Sequence, residues 1–219
     1  MKKIIVSVFI LCALIVVSSC KNEIDLSIYL SQKRTAVYTV SDEDYTLILY
    51  GEEREDPFIS DGYVGSMKKF VTVRVEDCKR SLDDASVSIT YGDVTLTGKF
   101  EYSPLNGKYI IEMETSKLPT AKEITAVIKN AGEEKTVTLL GYDSSKIDCN
   151  KALISVSKNA EDYLNKLKNG NNLSIEVRLR TIFQEERIYF YVSIIDKSGK
   201  TVAYLVDGQS FEILASKTI

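Results

Sequence analysis

Between Val37 and Leu140 the chain is built from short runs in which apolar and polar residues alternate, and no helical repeat interrupts them. The runs fall at 37–40, 45–50, 70–75, 86–91, 94–101, 108–114, 123–128 and 136–140. Val71, Val73 and Val75 take one side while Thr72, Arg74 and Glu76 take the other, and Val87 and Ile89 alternate with Ser86, Ser88 and Thr90. Turn residues separate them, as at Tyr91-Gly92-Asp93 and Asn130-Ala131-Gly132. Strands this short and this frequent predict an antiparallel β-sandwich over 36–142 that folds as its own unit.

Past Tyr142 the period changes. Val156, Ala160, Tyr163, Leu164 and Leu167 recur at helical spacing, with Ser157 or Asn159 as N-cap and Gly170 past the end, which predicts one amphipathic helix. Strand-like runs follow at 173–182, 188–195, 202–206 and 211–215. The expected plan for 143–219 is therefore α+β, a helix on an antiparallel meander, and the whole chain is mainly β. Tyr189 and Tyr191 share a face opposite Ile188, Phe190, Val192 and Ile194; the expectation is that the helix covers the tyrosines and makes them core.

Composition removes many activities. The 219 residues contain no His and no Trp, so a Ser-His-Asp triad, a Cys-His dyad and histidine metal ligands are absent. No Ser lies in a G-x-S-x-G context, no Cys pair has ligand spacing, and no glycine loop is built to cradle phosphate. The expectation is a protein without enzymatic activity, metal or cofactor; the alternative is a secreted hydrolase using carboxylates or a Ser-Lys arrangement. Strand and helix do not alternate as they would in the two lobes of a solute-binding protein.

Lys2 and Lys3 precede an apolar run over 4–17 that is the length of a signal-peptide core and too short to span a bilayer. It ends in Val17-Ser18-Ser19-Cys20, which resembles the lipobox of bacterial lipoproteins. The resemblance implies cleavage before Cys20 and a diacylglyceryl thioether on its sulfur, with further acylation, so that the mature chain is held at the cell membrane outside the cytoplasm. Residues 20–35 then read as a tether lifting the sandwich off the membrane. Loss of 1–19, which holds two Lys and no acid, leaves 200 residues and takes the net charge from −3 to −5. Such a chain lacks the basic surface that nucleic acid requires, so no nucleic-acid partner is expected, and the acyl anchor rather than charge would supply membrane attachment.

Cys78 and Cys149 are the only thiols left after Cys12 is removed and Cys20 is acylated. Outside the cytoplasm the pair is open to a disulfide, whose loop of about 70 residues would stabilise by roughly 4 kcal/mol; the other reading is two separate thiols. Acids gather at Glu52, Glu53, Glu55, Asp56 and Asp61, inside what reads as the longest connection of the sandwich, 51–67. They are either weak calcium ligands and a binding loop or a solvated turn. Glu185-Glu186 sits at a strand turn, where adjacent acids diverge instead of facing each other across a cleft.

Two stretches resemble known modules. FEYSPLNGKY at 100–109 is similar to the hairpin of bacterial immunoglobulin-like and prealbumin-like domains. IYFYVSIIDKSGK at 188–200 and TVAYLVDGQSFEIL at 201–214 resemble PepSY and cystatin-like modules, through Asp207-Gly208 and Glu212-Ile213-Leu214, with Phe211 where that pattern usually has Gly. Together they imply an immunoglobulin-like sandwich followed by a noncatalytic protein-binding module, which in some family members is proposed to restrain peptidases. The function expected is that of a lipid-anchored surface protein that binds an extracellular protein or glycan, or helps assemble the envelope.

Overall fold

The computed structural model describes residues 24–105, 107–142, 147–170, 172–184 and 186–219. The stretch expected to be a signal peptide, Cys20 and Glu185 lie outside the described residues. A 3-10 turn at Leu26–Tyr29 leads into β1 (Leu30–Ser41), β2 (Tyr45–Glu55), β3 (Met67–Cys78), β4 (Ser86–Tyr91), β5 (Val94–Lys99), β6 (Glu101–Ser103), β7 (Lys108–Thr115), β8 (Glu123–Asn130) and β9 (Glu133–Gly141). Helices α1 (Cys149–Asn159) and α2 (Glu161–Leu167) follow, then β10 (Lys168–Asn169), β11 (Asn172–Leu173), β12 (Ile175–Gln184), β13 (Arg187–Asp196), β14 (Thr201–Asp207) and β15 (Ile213–Thr218).

The fold is mainly β, an antiparallel sandwich with a small helical module. One long sheet runs in the order β15-β14-β13-β12-β1-β2-β3-β7-β6, and β5-β4-β8-β9 forms the second layer. Val71, Val73 and Val75 meet Val87, Ile89, Ile124, Ala126 and Leu139 between the layers, as the alternation predicts. The second core lies between the helices and β12 to β14, built from Leu153, Val156, Leu164, Val177, Leu179, Phe190, Val192 and Val206.

β1 joins the two cores. Its first half pairs in parallel with β12, Gln32 opposite Arg178 and Arg34 opposite Arg180, while its second half meets β9 at Tyr38 and Thr39. Along its length it also pairs with β2, with a register shift between Arg34 and Ala36. That extra residue reverses the facing of the strand, as a bulge does. Arg34 shares the outer face with Glu52, whereas Ala36 lies opposite Gly51, which faces the sandwich core.

Several expectations are corrected. Residues 26–35 are not a tether: Leu26 is 1% exposed in the helical core, and Ser31 and Gln32 are buried within β1. Hydrogen bonds, not isolated sequence periodicity, hold this polar stretch as a strand. The helix is two helices, broken at Ala160, and its N-cap is Asp148, whose carboxylate accepts from the Lys151 amide at 3.1 Å. Gly170, with φ of 62°, turns the β10/β11 hairpin. The helices cover the Phe190 face of β13, so Tyr189 and Tyr191 stand half-buried on the other side and are not core.

Candidate binding face and the charge network beneath its loop

Strand alternation sends the charges of β12 to the side away from the helices. In β12, Ile175, Val177 and Leu179 enter the helical core while Glu176, Arg178 and Arg180 point the opposite way. Register places Gln32 and Arg34 of β1 beside them, then Arg54 and Glu52 of β2, then Phe70 and Lys68 of β3.

Glu52 is the hub. It is 2% exposed and accepts from Gln32 Nε2 and Arg34 Nε, each at 3.0 Å, with Arg54 Nε at 3.5 Å from its other oxygen. Arg180 Nε donates to Gln32 Oε1 at 2.6 Å, and Arg54 also pairs with Glu112. Aromatic rings seal the guanidinium groups: Arg34 lies 4.5 Å from the Tyr50 ring centre and Arg54 4.2 Å from that of Phe70. Burial, then the neighbouring Arg34 charge, lowers the Arg180 pKa.

The 56–66 loop closes over one half of this face. Phe58 stacks on Arg178 at 3.8 Å, and Arg178 donates to Ser60 Oγ at 2.7 Å and to Glu176 Oε1 at 2.9 Å. Gly62, with φ of 80°, lets the loop seat against the turn after β13, since a Cβ there would meet the Lys197 amide nitrogen at 2.5 Å. Under the loop, Glu55 Oε2 and Glu176 Oε2 lack hydrogen-bond partners among the described residues. Burial raises the Glu176 pKa and the Glu55 charge raises it further, against the opposing pull of Arg178. The other half of the face is open: Ile182, Tyr189, Tyr191 and Leu205 are half-buried, with Arg180 opposite Tyr191.

The acidic group is dispersed. Glu52 and Glu55 are buried in β2, which runs further than its apolar residues suggest; Glu53 faces the other way; Asp56 pairs with Lys68 at 2.7 Å; Asp61 accepts from the Tyr63 amide at 3.0 Å. It is neither a solvated turn nor an assembled ligand set, and among the described residues no three His, Cys, Asp or Glu side chains are grouped to hold a metal. Arginines neutralise Glu52 where a cation would sit. Cys78 and Cys149 are both free: Cys78 is exposed and its thiol bonds the Arg80 carbonyl at 2.6 Å, while burial at the start of α1 pushes the Cys149 thiol up to about 11. Glu186 is exposed in its turn, with φ of 61°.

Gln32, Arg34, Glu176, Arg178 and Arg180 escape a search for motifs because each is an ordinary strand residue. The apolar/charged alternation Ile175-Glu176-Val177-Arg178-Leu179-Arg180 is the signal that marks them. The chain matches no protein-family model, no curated protein and no solved structure.

Proposed function

We propose that the chain is a lipid-anchored extracytoplasmic protein that acts as a noncatalytic binding module, with the open half of the long sheet as its binding surface. The observation that carries this reading is the pairing of half-buried Tyr189 and Tyr191 with Ile182, Leu205 and Arg180 on a face the helices leave uncovered. Tyrosines offer broad, rigid, amphipathic contact to peptide or sugar, and a guanidinium beside them adds directed donors. The order of α1 and α2 followed by the β12 to β15 meander accords with the PepSY and cystatin-like resemblance. The hydrolase alternative gains nothing from Glu176, the carboxyl with raised pKa, because its side chain is 0% exposed.

The anchoring half of the proposal is tested by Cys20→Ala, expected to release the protein or leave uncleaved precursor; unchanged fractionation and migration would contradict it. The binding half is tested by capture from crosslinked cell envelopes. Tyr189→Ala/Tyr191→Ala should lose the partners that the parent captures. Equal capture by both, or turnover of a peptide or glycan library, would overturn the reading.

A further inference from the structure

Six of the eleven exposed large apolar side chains among the described residues gather at one end of the molecule. Phe58, Ile59, Tyr63 and Val64, each 38–57% exposed, form the tip of the 56–66 loop. That loop follows the end of β2 and rests on the turn after β13, the same edge at which β1 and β12 begin. Ile28, in the turn that precedes β1, and Ile219, whose amide bonds the Thr201 carbonyl at 2.8 Å where β14 begins, add two side chains 69% exposed. Of the other five, Ile154 lies on α1 beside the 24–27 turn, and Tyr102, Leu105, Leu140 and Leu214 lie elsewhere.

This end also carries exposed lysines. Lys168, Lys197, Lys200 and Lys217 are exposed at or next to it, and none is ion-paired among the described residues. Asp25, Asp61 and Asp196 are also there, each turned back to accept from its own turn's amides, and Asp56 is held by Lys68. Apolar tips set among cations match the boundary between anionic headgroups and acyl chains.

The path of the chain selects the occupant. Ile24 is held at the side of α1, its carbonyl accepting from Ser157 Oγ at 2.7 Å. Cys20 lies four residues earlier, a reach of at most about 14 Å. An acyl chain on Cys20 therefore holds this end, and not the Leu105 end, against the bilayer.

We infer that the 56–66 loop is a second membrane contact, inserting Phe58, Ile59, Tyr63 and Val64 into the interfacial layer and fixing the molecule upright on its anchor. The inference rests on the lipid-anchor reading above. It leaves the tyrosine-lined sheet face perpendicular to the membrane and accessible to a partner.

The test uses the acylated full chain in vesicles of phosphatidylethanolamine and phosphatidylglycerol, in a Cys78→Ser background. An environment-sensitive fluorophore is placed through Tyr63→Cys or, at the opposite end, Leu105→Cys. The expected result is a blue shift and brighter emission at position 63 on vesicle binding, with quenching by a headgroup-level quencher, and no change at 105. Co-sedimentation of the parent and of an unacylated chain beginning at Lys21 with the same vesicles reports the anchor separately. If the parent sediments through Cys20 while position 63 stays water-exposed, the second contact is wrong and the anchor stands. If neither sediments and position 63 is silent, both fall. A probe at 63 that responds to envelope proteins and not to vesicles assigns the loop to a protein and overturns the inference.

Discussion

On the covered face of the long sheet, β12 supplies Ile175, Val177 and Leu179, none more than 1% exposed; on the other face the same strand supplies Glu176, Arg178 and Arg180. The covered face is sealed by apolar contact with two helices. The other is sealed, over half its area, by ion pairs, stacked rings and the 56–66 loop. Apolar burial is nondirectional and tolerates small shifts, whereas buried charge is stable only while each group keeps its partner. The charged face thus carries a pH dependence that apolar burial by itself does not.

The largest expected effect lies on the covered face. Phe190 is 0% exposed and packs against Phe211 at 6.3 Å, so Phe190→Ala should cost about 3–5 kcal/mol in urea unfolding. Its neighbour on the open face, Tyr191→Ala, should cost less than about 1 kcal/mol. Equal losses would erase the distinction between the faces.

Next comes the hub. Glu52→Ala leaves Arg34 and Arg54 without their shared carboxylate and should cost about 3 kcal/mol. Removing charges from both sides, Glu52→Leu with Arg34→Met, should restore part of that loss. A double variant as unstable as the sum of its parts would show that Glu52 acts through packing alone.

A smaller effect is visible only against pH. The Glu176 carboxyl is raised from an ordinary value of 4.5, chiefly by burial, so the folded state favours its protonated form. Its contribution to stability is full below that value and is lost as pH rises through the raised folded pKa. Glu176→Gln should therefore flatten the decline of stability with pH across that window, while leaving acid stability near the parent's. A parallel pH profile would place the protonation elsewhere. Smallest in energy is the thiol contrast: with Cys12 and Cys20 replaced by Ser, one thiol, Cys78, should react with a thiol reagent at mildly alkaline pH, and Cys149 only on unfolding.

The sandwich was legible because Val71, Val73 and Val75 declare their face without help from the rest of the chain. The helical module was legible from the change of period at 143, though its cap was not, because Asp148 precedes the apolar repeat by several residues. Residues 26–35 were illegible for a physical reason. Gln32 and Arg34 carry no apolar alternation, since their burial is satisfied by Glu52, Arg180 and the Thr181 hydroxyl, which donates to the Arg34 carbonyl at 2.7 Å. Those partners lie from 18 to 148 residues away in sequence. The same distance hid the site: Glu52 reads as one acid in a cluster until β1 and β12 bring the arginines to it.

The account stands or falls on β1 as the strand that welds the two cores. Amide hydrogen exchange on the intact protein tests it directly. The account predicts that the Gln32 to Arg34 segment and the 177–180 segment of β12 are protected to the level of Val71 and Val73 and are lost together as denaturant rises. Rapid exchange across 26–35 beside a fully protected sandwich would contradict it, returning that stretch to a tether and the charge network to an accident of the surface.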